Sequence, residues 1–129
     1  MHEPRWLLES VVLAIHTMLL EAHGGEGGLR DQDLLASALA RPRNKYAYED
    51  DCSLFDLAAA YSFGVAKNHP FIDGNKRVAL ATCLVFLSEN DLLPDEELDA
   101  DEWETLTLAV AAGLLTRDEI TATLRKLLA

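Results

Sequence analysis

One stretch of the chain gathers, within nine residues, most of the side chains that phosphate chemistry uses: His69-Pro70-Phe71-Ile72-Asp73-Gly74-Asn75-Lys76-Arg77. Histidine is the commonest general base, which assigns His69 the task of accepting the proton of an attacking hydroxyl. Asp73 supplies a hard oxygen ligand, and Mg²⁺ is typically held by one or two carboxylates together with substrate phosphates, so a single aspartate suffices. Gly74 lets backbone approach an anion closely, and its N–H with the Asn75 carboxamide can orient phosphate oxygens. Lys76 and Arg77 neutralise phosphate charge, the arginine with a planar fork of donors. The stretch runs straight into the apolar segment Val78–Leu87. It therefore falls at a helix N-terminus, where unpaired N–H groups and the helix dipole favour an anion. Together these parts suit transfer of a portion of a nucleoside triphosphate onto a hydroxyl. Taken singly, each also fits a plain capped helix start beside a solvated histidine. Phe71 reads as an apolar anchor beneath the loop, and Ile72 as a similar anchor or a loop filler.

The elements that must carry this loop all read as helices, with no alternating strand pattern. Pro4 suits a first turn, and Trp6, Leu7, Val11, Ile15, Met18, Leu19 and Ala22 follow helical spacing up to Gly24-Gly25. Asp31 caps a second helix carrying Leu34, Leu35, Ala38 and Leu39, expected to end before Pro42. Residues 43–51 show no periodicity, and Tyr46-Ala47-Tyr48 reads as a short extended arm. Ser53-Leu54-Phe55-Asp56 has the form of a capping box and opens a third helix. The fourth, from Asn75 or Lys76 to Ser88, is apolar on all sides and is expected to be the central, surrounded helix. A turn at Asn90–Pro94 leads to a fifth helix opened by Asp99-x-x-Glu102, passing through Trp103, Leu106 and Val110, and closed by Gly113. Thr116-x-x-Glu119 caps a sixth that ends at Arg125-Lys126. The expectation is an all-α bundle of about six helices, one domain over residues 1–129.

Composition sets the outer limits. At 129 residues, 50% hydrophobic and 26% charged, the chain can bury a core of its own, which excludes whole-chain disorder. No apolar run reaches the ~18 residues of a membrane span. Met1-His2-Glu3-Pro4-Arg5 lacks the basic start of a secretory signal, so a cytoplasmic location is expected. Cys52 and Cys83 have no metal-type spacing and sit among apolar residues, as reduced core cysteines do. Of the net charge of −11, most lies between Glu89 and Glu104, which holds nine acids and no base; the remainder has 13 acids against 11 bases. Such a belt is a solvated face or a docking surface for a basic partner. Direct nucleic-acid binding, which needs a basic stripe, is not expected. A ribonuclease of the helical HEPN type is discounted, because no arginine has a histidine five residues on.

The segment HPFIDGNKR resembles the Fic signature HxFx(D/E)GNGRxxR, in the variant of the Doc (death-on-curing) branch of the Fic/Doc family, where lysine replaces the second motif glycine, here at Lys76. The closing arginine of the longer signature falls at Leu80 and is missing. The segment from Ile15-His16 through Gly24-Gly25, Gly28-Leu29-Arg30-Asp31 and Leu34-Leu35 to Ala40-Arg41-Pro42 is similar to the amino-terminal pattern of that branch. The resemblance implies the all-helical Fic fold, with the motif loop at the start of a central helix. It implies a toxin that transfers the γ-phosphate of ATP, with Mg²⁺, to a threonine of elongation factor Tu. It also implies a Phd-like antitoxin as partner. Transfer of AMP or UMP by the same residues is the alternative, and a non-catalytic interaction module is a third. Tyr46, Ala47 and Tyr48 lie where Fic proteins carry a flap that pairs with target backbone. Within the amino-terminal pattern, His16 reads as an internal histidine or a catalytic group. Arg30 reads as part of a loop-to-helix cap or a contact to nucleotide or target.

Overall fold

The computed structural model describes residues 3–49 and 51–91. In chain order the elements are α1 (Glu9–His23), α2 (Gln32–Tyr48), α3 (Leu54–Asn68) and α4 (Asn75–Glu89). Among the described residues there is no strand, only an isolated antiparallel bridge between Leu29 and Phe71. The all-α expectation holds for these four helices. The expected fifth and sixth helices and most of the acidic belt lie outside the described residues. Among those described, no helix is long and apolar enough to cross a membrane.

α1 starts at Glu9, not at Pro4. The segment before it makes tertiary bonds that a helical turn would forbid. Arg5 N–H donates to Asn90 Oδ1 at 2.9 Å, Asn90 Nδ2 donates to Arg5 O at 3.1 Å, and Leu7 N–H donates to the Tyr61 hydroxyl at 3.1 Å. Trp6 stacks on Phe86 and meets Tyr46 edge-on, with centroids 6.1 and 5.6 Å apart. Local preference yields here to tertiary partners.

α2 is capped as expected, by Asp31 Oδ1 accepting from Leu34 N–H at 3.1 Å. It does not stop at Pro42. The helix runs through Pro42 to Tyr48, and the extended arm expected at Tyr46-Ala47-Tyr48 is its last turn. Proline removes one helical hydrogen bond and crowds the preceding turn. Here Pro42 is buried in the bundle, and Gly64 of α3 packs so closely on Ala38 that a Cβ would lie 3.1 Å from the Ala38 carbonyl. Burial at this close crossing offsets the lost bond. The Lys45–Glu49 ion pair at 2.7 Å closes the helix.

The capping box of α3 forms as its spacing indicates: Asp56 N–H donates to Ser53 Oγ at 3.1 Å and Ser53 N–H to Asp56 Oδ2 at 2.8 Å. Residues 57–62 and 64–66 of α3 are all buried between α2 and α4. Its run of alanines and Gly64 lets both neighbours approach. α4 buries Val78, Ala79, Thr82, Cys83, Phe86 and Leu87, while Leu80, Ala81, Leu84 and Val85 stay partly exposed. Among the described residues, then, α3 is the more enclosed helix and α4 packs along one face. Burial pushes the Cys83 thiol up to about 12, so it remains protonated and inert. Burial likewise raises the Tyr61 hydroxyl.

Because α3 and α4 are antiparallel and joined by residues 69–74, the bundle has two poles. One holds the joining loop with the motif. The other holds the start of α3, the end of α4 and Asn90, around a cavity of about 490 Å³ lined in part by Pro4, Tyr46, Cys52, Leu54 and Leu57. Fifteen residues of helix separate the poles, which is roughly 22 Å. Tyr46 to Tyr48 belong to the second pole.

Candidate functional site

The loop after α3 is shaped by two residues with positive φ. His69 is the C-cap of α3 at φ 48° and ψ 57°, and Gly74 is the N-cap of α4 at φ 82°. The left-handed region costs a residue with a Cβ on the order of 1 kcal/mol, so His69 has to be held there. The holding comes from the segment before α2. The Arg30 guanidinium donates from Nε to His69 O at 2.8 Å and from Nη2 to Asn68 O at 2.9 Å. Arg30 and Asp31 N–H both reach Pro70 O, at 2.7 and 3.1 Å, and Ile72 N–H donates to Gly28 O at 3.1 Å. The imidazole of His69 is left exposed.

Phe71 turns inward and is 1% exposed, the anchor expected of it; Ile72 instead lies outside, 49% exposed, over Gly28. Asn75 closes the loop: its Oδ1 accepts from Phe71 N–H and its Nδ2 donates to Phe71 O, both at 2.9 Å. The carboxamide expected to orient phosphate is therefore engaged by Phe71 and buried. What Asn75 leaves for an anion is its backbone N–H. Gly74 provides no capping side chain, and Val78 N–H is the first in the helix with a backbone acceptor, Gly74 O at 3.0 Å. The first-turn N–H groups of Asn75, Lys76 and Arg77 thus have no acceptor among the described residues. Exposed Lys76 and Arg77 side chains flank them. This is the arrangement of an anion cradle.

Asp73 stands beside that cradle, exposed. Its Oδ1 accepts from Gly74 N–H at 2.8 Å, so the N–H expected to orient phosphate is engaged by Asp73, and its Oδ2 accepts from Glu26 N–H at 3.2 Å. The glycine-rich loop drapes over it so closely that a Cβ on Gly25 would lie 2.7 Å from Oδ2, at a φ of 122° that itself calls for glycine. Each carboxylate oxygen keeps a further lone pair, so Asp73 can still ligate a hard cation. No cluster of three ligating side chains occurs among the described residues. A cation here would complete its shell with water and phosphate, as Mg²⁺ does. Beneath the loop, buried His16 stacks on Phe71 with centroids 3.9 Å apart, and its Nε2 donates to Asp73 O at 2.9 Å. His16 is thus an internal prop for Asp73 and Gly74, not an exposed acid or base.

The structure therefore brings together His69, Asp73, Gly74, Asn75, Lys76 and Arg77, and leaves Tyr46, Ala47 and Tyr48 at the opposite pole. A helical turn there offers no strand edge for target backbone. Three supports were not assigned from sequence: Glu26 N–H on Asp73, the Arg30 clamp on Asn68 and His69, and the Asn75–Phe71 closure. The glycine run was the only sign of the first. The second had a trace in the Arg30-Asp31 pair, and the third had none.

The sequence model of the Fic/DOC family matches residues 6–87. Protein kinase doc of Escherichia phage P1 is 32% identical over 116 residues, covering 90% of each chain. Toxin Doc of Mycolicibacterium smegmatis is 39% identical over 104 residues, covering 80% of each.

Proposed function

The chain belongs to the Fic/DOC family, and on that premise we propose that it is a Doc-type toxin that phosphorylates a protein, passing the γ-phosphate of ATP to a threonine of elongation factor Tu. The observation that carries this reading is the pairing of an exposed His69 with an uncapped helix start flanked by Asp73, Lys76 and Arg77 on one loop. In the reaction, His69 takes the proton of the threonine hydroxyl as its oxygen bonds to the γ-phosphorus. The bond from that phosphorus to the β–γ bridging oxygen breaks, and ADP departs. The N–H groups of Asn75, Lys76 and Arg77 receive phosphate oxygens, and the two cationic side chains balance the charge. Asp73 is the residue to hold Mg²⁺, which when bound neutralises phosphate charge.

Lys76 favours phosphoryl over nucleotidyl transfer. A glycine at this position leaves room for the far phosphates against the helix start, whereas a lysine side chain crowds it. A nucleotide turned end for end presents its γ-phosphorus to His69. The absence of an arginine at Leu80 removes a contact for the other orientation. A toxin calls for an antitoxin partner, which the name of the relative Toxin Doc supports; the Phd type is what the resemblance to the Doc branch implies.

The test is incubation of the protein with elongation factor Tu, Mg²⁺ and ATP labelled at either the α or the γ position. Label retained only from γ-labelled ATP supports the reading. Label from α means nucleotidyl transfer, and label from neither removes the assignment. Lys76→Gly should lower phosphoryl transfer, measured as phosphothreonine by mass spectrometry; an unchanged rate would set aside the steric account.

A further inference from the structure

Arg30 lies outside the nine-residue motif, yet it holds the motif's first residues and the residue before them from a distance of almost forty positions. Its guanidinium donates to the carbonyls of Asn68 and His69, and its own backbone N–H donates to the carbonyl of Pro70. Three consecutive carbonyls are thus fixed by one residue. Two of them end α3, where unpaired C=O groups and the negative end of the helix dipole attract a cation. Asn68 is locked a second time by its side chain, with Nδ2 donating to Leu34 O at 3.0 Å and Oδ1 accepting from Arg41 Nη2 at 3.4 Å. The residue caught between these anchors is His69, in a left-handed conformation that is unfavourable for a residue with a Cβ.

We propose that Arg30 is a positioning residue that acts through His69. By gripping the carbonyls on both sides of the His69 amide nitrogen, it keeps the backbone left-handed and so fixes the direction in which the imidazole leaves the chain. It does this without touching nucleotide or target. The inference rests on the reading of His69 as general base. The planar fork matters, because a lysine brings the charge to the helix end but cannot reach two successive carbonyls in fixed geometry.

The experiment compares wild type with Arg30→Ala, Arg30→Lys and Arg30→Gln in the full chain, by two readouts. The first is steady-state transfer with γ-labelled ATP. The second is the set of backbone and Cβ ¹³C shifts of Asn68 and His69, which report the left-handed conformation without any turnover. Arg30→Ala should lower kcat by ~10²-fold, the scale of a misplaced catalytic group, with KM for ATP within about two-fold of wild type. Its His69 shifts should move toward right-handed values. Arg30→Lys should recover little of either. A raised KM with kcat unchanged would make Arg30 a nucleotide contact and overturn the proposal, as would His69 shifts identical to wild type. Should wild type transfer nothing, the reading of His69 fails, while the shifts still decide the clamp. Should Arg30→Ala not fold, Arg30→Gln, which keeps one donor, decides by the same two readouts.

Discussion

At the pole where α3 hands over to α4, a histidine sits in left-handed backbone, a glycine caps without a side chain, and the first-turn N–H groups stay open beside exposed charge. At the opposite pole, α3 begins with a capping box closed from both directions. Asn90 ties the end of α4 to Arg5, and Trp6, Tyr61 and Phe86 pack ring on ring. The same pair of helices thus meets once with both ends closed and once with the start of α4 left open. Helix ends are normally closed because open ones forgo stability. An open end braced from behind by Arg30, Asn75 and His16 is a structure kept ready for a ligand, and the closed end supplies the rigidity it relies on.

The comparison breaks most sharply on two substitutions. His69→Ala at the open pole should reduce transfer by ~10²–10⁴-fold, the usual worth of a general base, while unfolding in urea shifts by no more than about 0.5 kcal/mol. Equal turnover by mutant and wild type would take His69 out of the mechanism. Phe86→Ala at the closed pole should do the reverse. Phe86 is fully buried between Trp6 and Tyr61, so its loss should cost about 3–5 kcal/mol in urea unfolding, with kcat of the folded fraction little changed. A large loss of kcat from that fraction would show that the poles are not independent.

What the sequence showed of this division follows from range. The capping box of Ser53 and Asp56, the Asp31 cap and the start of α4 at Asn75 are set by neighbours three or four residues apart, and all were legible. Pro42 inside α2 was not, because the close crossing on Gly64 that tolerates it is tertiary. Nor was the extended start before α1, held by Asn90 from 85 residues away. In the site, the chemical types could be read, since a base, a carboxylate and cations on one loop need no fold to be recognised. The role of Asn75 could not. A carboxamide faces phosphate or backbone equally well on paper, and only the turn of Phe71 decides between them. Arg30 was visible as a cap and invisible as a clamp, because its acceptors lie 38 and 39 residues further along.

Asn75 sharpens the comparison by belonging to both sides of it. Asn75→Ala would strip partners from the Phe71 N–H and carbonyl, each worth roughly 1–3 kcal/mol when left buried and unpaired. It should therefore lower both stability and transfer. Asn75→Asp keeps the acceptor for Phe71 N–H but sets its other oxygen against the buried Phe71 carbonyl, so it should not restore wild-type stability. If Asn75→Ala abolished transfer while urea unfolding stayed at the wild-type midpoint, the carboxamide would be a ligand group and the closure of the loop incidental.

The smallest effect expected is at Ser53. Ser53→Ala removes the hydroxyl that accepts from Asp56 N–H and donates to Asp56 Oδ2. The cost should be about 1 kcal/mol in urea unfolding, within the ~0.5–2 kcal/mol range of such caps. Transfer should stay at the wild-type rate, because Ser53 stands a full helix length from His69 and the altered cap lies at the end of α3 that the motif does not use. The value of so mild a change is that it separates loosening from damage. A rate that fell with this cap would mean that fraying at the start of α3 reaches its C-terminal turn. The Arg30 and Asn68 contacts would then be too weak to isolate His69 from the rest of the helix.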